Sequence, residues 1–244
     1  MKLSCSVFAG IFFPIAIIYQ AQAQPPPDSL LFKESISNLQ QIYLNEVGDN
    51  AQIYHGTQYI RNGQKAIGFP FYESENMLDG SVSYQGIIYK DVKLSYDLVT
   101  DELITNNFTH DAKIVLAPLK TDSFRIGNHI FIRLSSEKNN GLPRDGYYEQ
   151  LYSGIPGLYA KREKKLESGS GSEEAKYIQY NSNSYYIKMD TVYYNVDGKS
   201  SLLDVLKDKA SELKKYIRSN KLNFKKNLES SLVLSTVYYS QLKH

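Results

Sequence analysis

The chain has no tryptophan, one cysteine and four histidines among 244 residues. The cysteine, Cys5, lies in an apolar run at the N-terminus, so disulfides, thiol catalysis and cysteine-built metal sites are excluded from everything that follows it. Histidine offers no substitute, because His55, His110, His129 and His244 never fall at the i, i+4 spacing of a helical metal pair. No metal and no cofactor are expected. Without tryptophan, whose faces carry most sugar stacking, a glycan-binding module is disfavoured. Phosphate-cradling glycine loops, dinucleotide fingerprints and the G-x-S-x-G elbow are also missing. Only His110 stands beside a carboxylate, Asp111, in sequence that reads as a turn.

An excess of one charge is lacking too. Lysine and arginine number 28 against 26 acidic residues, with the signs interspersed. The densest basic run, Lys161-Arg162-Glu163-Lys164-Lys165, is broken by Glu163 and followed by Glu167, Glu173 and Glu174. It reads as a solvated face, since a polyanion needs a sustained positive track. No nucleic-acid partner is expected.

One long apolar run exists. Leu3 to Tyr19 follows Met1-Lys2, contains Pro14 and leads to Ala21-Gln22-Ala23, the small-x-small pattern of a signal peptidase site. As a membrane anchor the run is marginal, near the short end of the ~17–25 residues that span a bilayer. The expectation is a cleaved secretory signal, residues 1–23, and no transmembrane segment after cleavage. Cys5 lies near the start of the apolar run rather than after it, where a lipidated cysteine would sit, which argues against lipidation. A cysteine-free exported domain must hold together by its core, and this favours a periplasmic or outer-membrane-associated location in a bacterium.

Tyrosine, in contrast, is abundant at 21 residues. After the proline-rich lead from Gln24 to Pro27, Phe32, Ile36, Leu39 and Tyr43 recur at helical spacing. From Ala51 the pattern changes to short β-rich runs separated by turn residues. Among them are expected strands over Gln52–Ile60, Ile87–Tyr89, Val92–Asp97 and Leu158–Leu166. The connections are too short for helical crossovers, so neighbouring strands should pair antiparallel as a meander. The Gly/Ser stretch Ser168 to Ser172 reads as a flexible hairpin tip. Beyond Gly198, Ser201 is a candidate cap with Asp204, and Leu202, Leu206, Ala210, Leu213 and Ile217 form one apolar stripe. A second helix is expected from about Leu228 to Leu242.

The expected fold class is therefore α+β: a strongly curved antiparallel β-meander, half-barrel or barrel-like, with an N-terminal helix and a C-terminal helical pair. The divisions are a signal peptide (1–23), an extended lead and helix (24–50), the meander (51–198) and the helical pair (199–244), with 24–244 forming one domain. Within Tyr84 to Asp97, Val92, Leu94 and Tyr96 alternate with Lys93, Ser95 and Asp97, as a half-buried strand requires. Tyr96 is expected in the core. Tyr84 and Tyr89 are the candidates for lining a ligand cradle, because a tyrosine ring packs while its hydroxyl reaches water.

The succession GSVSYQGIIYKDVKLSYDLVTDEL, GYYEQLYSG, LYAKREKKL and YYIKMDTVYYNVDGKSSLLDVLKDKASELKKYIRSNKLNF resembles uncharacterised exported proteins of Bacteroidetes-type bacteria. The resemblance runs from about Ala51 onward and implies an envelope location, with no functional residue to carry over. In such bacteria Asp-Ser/Thr followed by an apolar residue is associated with periplasmic O-glycosylation. Asp28-Ser29-Leu30 and Asp190-Thr191-Val192 match it, so Ser29 and Thr191 are the candidate acceptors.

Two functions compete. The leading one is an exported, non-catalytic cell-envelope protein that binds a hydrophobic or amphipathic ligand or an envelope partner through the curved sheet. The alternative is a secreted hydrolase using paired carboxylates, for which Glu73/Glu75 and Asp101/Glu102 are the local pairs.

Overall fold

In the computed structural model the chain separates into two compact units, Met1–Asn45 and Glu46–His244. The structure describes positions 35, 38, 39, 42, 46–48, 51–61, 66–137, 140–167, 176–179 and 183–243, the 176–179 stretch as backbone only. The expected signal sequence, the acceptor Ser29 and the Gly/Ser stretch from Ser168 to Ser172 lie outside the described residues. Positions 35, 38, 39 and 42 are helical, within the segment where a helix is expected.

The second unit is built on one antiparallel sheet of eleven strands. In chain order they are β1 (Thr57–Gln58), β2 (Leu78–Tyr84), β3 (Ile87–Asp97), β4 (Glu102–Asn106), β5 (Lys113–Val115), β6 (Thr121–Ile126), β7 (His129–Leu134), β8 (Gly146–Tyr152), β9 (Gly157–Lys161), β12 (Ser184–Met189) and β13 (Val192–Asn195). A separate hairpin pairs β10 (Lys164–Glu167) with β11 (Lys176–Gln179). The spatial order β1-β5-β4-β3-β2-β6-β7-β8-β9-β12-β13 departs from a pure meander at three places, where β1 pairs with β5, β6 with β2 and β12 with β9. After β5 the chain turns through Pro118–Lys120 and returns to lay β6 on the free side of β2. The sheet is open, with β1 and β13 as its edges.

Three local expectations are corrected. Lys90-Asp91 does not break the strand: β3 runs unbroken for 11 residues. Gly80 faces Val92 while Val82 faces Tyr89, so Lys90 and Asp91 together oppose Ser81, and Asp91 takes φ 55°. Turn-type residues here make a β-bulge, which holds one unpaired residue and sharpens the twist. Gln52–Ile60 is a 3-10 turn at Gln52–Tyr54 followed by the short β1. Leu158–Leu166 is two strands in different sheets, divided at Arg162-Glu163.

The sheet curls. Four strand spacings separate β3 from β8, about 19 Å if flat, yet the rings of Tyr96 and Tyr147 on those strands lie 5.8 Å apart. Past the end of β3 the backbone N–H of Lys164 donates to Leu98 O at 3.1 Å, and the Lys164 ammonium donates to Phe71 O at 2.6 Å. This contact buries both faces of β3 at its end. Ser95 and Asp97, expected on a solvated face, are each 3% exposed.

Three helices, not a pair, follow: α1 (Lys199–Val205), α2 (Ala210–Ser219) and α3 (Leu228–Gln241). The stripe is continuous in sequence, but the backbone bends at Leu206 (ψ 40°) into a 3-10 turn that separates α1 from α2. Ser201 is not the cap. Gly198 holds that position, and the Ser201 hydroxyl reaches back to accept from the N–H groups of Asp197 and Gly198, each at 3.1 Å. The stripe still does what its period requires: Leu202, Leu206, Leu213 and Ile217, joined by Leu232 of α3, pack with Leu158, Ala160 and Ile187 of β9 and β12, and Ala210 lies partly buried against them.

Candidate functional site

The inner face of the curl is filled by its own aromatic rings. Phe124 stacks on Phe131 at 4.9 Å, and Tyr96 and Tyr147 meet Phe124 edge-on at 5.2 and 5.0 Å. Tyr89 opposes Val82, which opposes Phe124, so Tyr89 shares this face. Tyr84 and Tyr89, the cradle candidates, are 1% and 4% exposed. Neither borders an opening among those described; burial pushes up the pKa of the Tyr84 phenol.

Two polar clusters interrupt the apolar face. At the seam where the sheet folds back, the Lys161 ammonium donates to Asp101 Oδ2 at 2.7 Å and to Tyr147 O at 3.0 Å, while the Tyr96 hydroxyl donates to Asp101 Oδ1. Burial pushes the Lys161 pKa down, against the opposing pull of Asp101. Gly146 makes room for the pair, since a Cβ there would lie 2.1 Å from Asp101 Oδ2.

The second cluster is a chain of charges. Arg162 Nε and Nη2 both lie 2.6 Å from Glu149 Oε2, and its Nη1 lies 2.5 Å from Glu229 Oε2 on α3. Tyr185 also donates to Glu229 Oε2, at 3.0 Å. At the other end, His129 Nδ1 is 2.6 Å from Glu149 Oε1 and its Nε2 is 3.2 Å from Glu73 Oε1, so only the imidazolium donates at both nitrogens. Burial opposes ionisation of Glu229, but the hydrogen bond and charge of Arg162 outweigh it and hold the carboxyl below its ordinary pKa. Tyr72, whose ring lies 5.3 Å from that of His129, is pushed well above the ordinary tyrosine range by burial and by Glu149 and Glu73.

This chain ends in a cleft. Tyr185 and Glu229 form part of the wall of an opening of about 850 Å³, which Asn183, Lys199, Phe224 and Lys226 also line. It lies where β12 begins and the first turns of α1 and α3 meet. The lining combines three cations, Lys199, Lys225 and Lys226, with the carboxylate of Asp197, the Phe224 ring and the hydrogen-bonded Glu229–Tyr185 pair. It suits a ligand with one charged and one apolar end.

No family model, no curated protein and no solved structure matches this chain.

The sequence-level candidates fall apart in space. Glu75 pairs with Arg61 at 2.9 Å while Glu73 turns to His129. Asp101 belongs to the Lys161 seam, and Glu102 accepts from Thr100 Oγ1 at 2.8 Å. His110 and Asp111 form a β4–β5 turn in which the Asn107 amide bonds Asp111 at 2.6 Å. Thr191 is exposed in the turn between β12 and β13, not inside a strand. The basic run read as a solvated face is divided: Lys161 and Arg162 are buried, at 2% and 7% exposed, while Glu163, Lys164 and Lys165 are half-buried. Glu149, Arg162, Tyr185 and Glu229 went unnoticed as a group. The available signal was charge at inward-facing strand positions, as with Arg162 in step with Leu158 and Ala160.

Proposed function

We propose that this is an exported, non-catalytic cell-envelope protein that binds an anionic amphiphile in the cleft beside Tyr185 and Glu229. The curled sheet is read as a half-barrel whose hollow has been given over to aromatic packing, leaving recognition to its helical border. One observation carries the reading: the inner face is occupied by Tyr96, Phe124, Phe131 and Tyr147, whereas the 850 Å³ cleft is open and mixed in polarity. Glu229 is held ionised by Arg162, which suits a fixed hydrogen-bonding group and opposes the proton-donor role that a carboxylate-based hydrolase requires.

The test uses anilinonaphthalene sulfonate, an anionic amphiphile, titrated into the purified protein and displaced with dodecyl phosphate. Saturable binding is expected, and Ser230→Trp, which fills the cleft from an exposed position, should weaken it by an order of magnitude without changing the melting temperature. Binding indifferent to that substitution would move the site elsewhere. Turnover of a chromogenic ester or glycoside that Glu229→Gln abolishes would favour the hydrolase. Export is tested by N-terminal sequencing after cell fractionation: a start at or near Gln24 supports it, and an uncleaved chain in the inner membrane overturns it. Mass analysis of the same material reports whether Ser29 or Thr191 carries sugar.

A further inference from the structure

We infer that the helical layer carries a docking site for anionic phospholipid headgroups, formed by Lys199, Arg218, Lys221 and Lys225 over a floor of Ile217, Leu222 and Phe224. The charge balance of the whole chain hides this segregation. Residues 199–226 hold nine lysines and arginines against three acidic residues, whereas the complete sequence is only +2. The remainder is therefore net negative. Helical spacing does the sorting on α2: Leu213 and Ile217 turn to the core, and Lys214, Lys215 and Arg218 are left exposed on the opposite side.

The four named cations line one pocket of about 430 Å³, and no acidic residue contributes to it. All four are exposed. None has an ion-pair partner among the described residues, whereas nearby Lys209 and Lys243 pair with Glu212 at 3.7 Å and Asp208 at 2.7 Å. Unneutralised like charges gathered in one place repel each other, so a partner that supplies the missing counter-charge gains from all of them together. The floor narrows the choice of partner. Ile217 is buried, and Leu222 and Phe224 are half-buried at the base of the ring of cations. A phosphate carried on a glycerol backbone would place its charge among the lysines and its first methylenes on the apolar floor. A nucleic-acid strand would instead want a run of stacking rings along a continuous track, and this pocket has a single ring.

Each cation brought to an anionic membrane surface strengthens partitioning about fivefold. Four in the pocket, with Lys214, Lys215 and Lys226 beside them, are therefore enough for reversible docking that fades as salt rises. Lys199, Phe224 and Lys225 line both this pocket and the cleft, so the two sites share an edge. Arg218 and Lys221 line this pocket but not the cleft, and Tyr185 and Glu229 the reverse, so either can fail alone.

The experiment is co-sedimentation of the purified protein with vesicles of phosphatidylcholine and phosphatidylglycerol in equal parts. Vesicles of phosphatidylcholine alone control for any contact made by the apolar N-terminal run. Binding to the mixed vesicles at low salt should exceed binding to the control by two orders of magnitude or more. The double variant Arg218→Glu/Lys221→Glu, both positions exposed and its fold checked by circular dichroism, should lose two orders of magnitude. Equal binding to both vesicles, or a double variant that binds like wild type, would overturn the inference. So would release by inorganic phosphate beyond that caused by chloride of equal ionic strength, which would mark a soluble-phosphate site. Tight binding to a single-stranded oligonucleotide without binding to vesicles would also overturn it.

Discussion

Replacing Arg162 with methionine removes the hub of the buried charge chain while keeping most of the side chain's volume. Two carboxylates lose their partner, and they differ in what water can do for them. The Glu149 side chain is 4% exposed and retains only His129, at 2.6 Å, whereas that of Glu229 is 38% exposed and keeps Tyr185. Stranding a buried charge costs about 3–5 kcal/mol; a carboxylate as accessible as Glu229 adds no more than about 1 kcal/mol. The expected loss is therefore about 4 kcal/mol, nearly all of it from Glu149, and the melting temperature should fall by roughly 10 °C. Urea unfolding followed by circular dichroism measures it. Adding Glu149→Gln to Arg162→Met should recover more than half of the loss, because an amide needs no counter-charge. The acid limb carries a second signature. Glu229 has its folded pKa below the ordinary 4.5, so its contribution is present above that value and is lost as pH falls through the folded pKa. In Arg162→Met that part of the pH dependence should flatten. If the single variant unfolds within about 1 kcal/mol of wild type, or the double variant is no better than the single, the chain of charges does not hold α3 to β9 as reasoned.

Three further outcomes are expected. Burial raises the phenol pKa of Tyr96, Tyr148 and Tyr147, the last to about 12, so their contribution is complete below the unfolded value near pH 10 and is lost as pH rises towards the folded values. For Tyr147 this amounts to about 3 kcal/mol at the alkaline limit; a spectrophotometric titration in which every tyrosine ionises reversibly as one class near pH 10 would refute it. Tyr96→Ala should cost about 3–5 kcal/mol. Tyr96→Phe should cost a further-from-neutral amount of about 1–3 kcal/mol, because it removes a donor from the buried Asp101–Lys161 pair; a Phe variant that melts like wild type would show that this hydroxyl is dispensable. Leu213→Ala, at a fully buried position between α2 and the sheet, should lower stability by about 2–5 kcal/mol in denaturant melts.

Periodicity made much of the fold readable. Leu94 and Tyr96 alternate with Lys93, and Leu202, Leu206, Leu213 and Ile217 recur on one helical face; each of these apolar residues is buried where the repeat puts it. Turn chemistry was readable in kind but not in use. The Gln85-Gly86 turn does join β2 to β3, whereas Lys90-Asp91, of similar character, became a bulge because β2 supplied a partner on both sides of it. The candidate site was far less legible. Its residues, Glu73, His129, Glu149, Arg162, Tyr185 and Glu229, come from six separate segments, and no spacing along the chain joins them.

Sequence alone determined which side turns inward where one face is apolar and the other polar, as for Leu94 and Tyr96 of β3 and the stripe of α1 and α2, because that depends only on the repeat of the local backbone, two residues or 3.6. It did not for β9, buried at every position, or for α3, whose buried face includes Ser231, Ser235 and Thr236. Tertiary structure decided the rest. Only the return of β6 to β2 and the curl that brings Tyr96 to within 5.8 Å of Tyr147 place Lys161 against Asp101 and Arg162 between two glutamates. Lys161 and Arg162, which look solvated by composition, are interior once the sheet folds over them, since ion pairing falls with distance in space and is indifferent to distance along the chain.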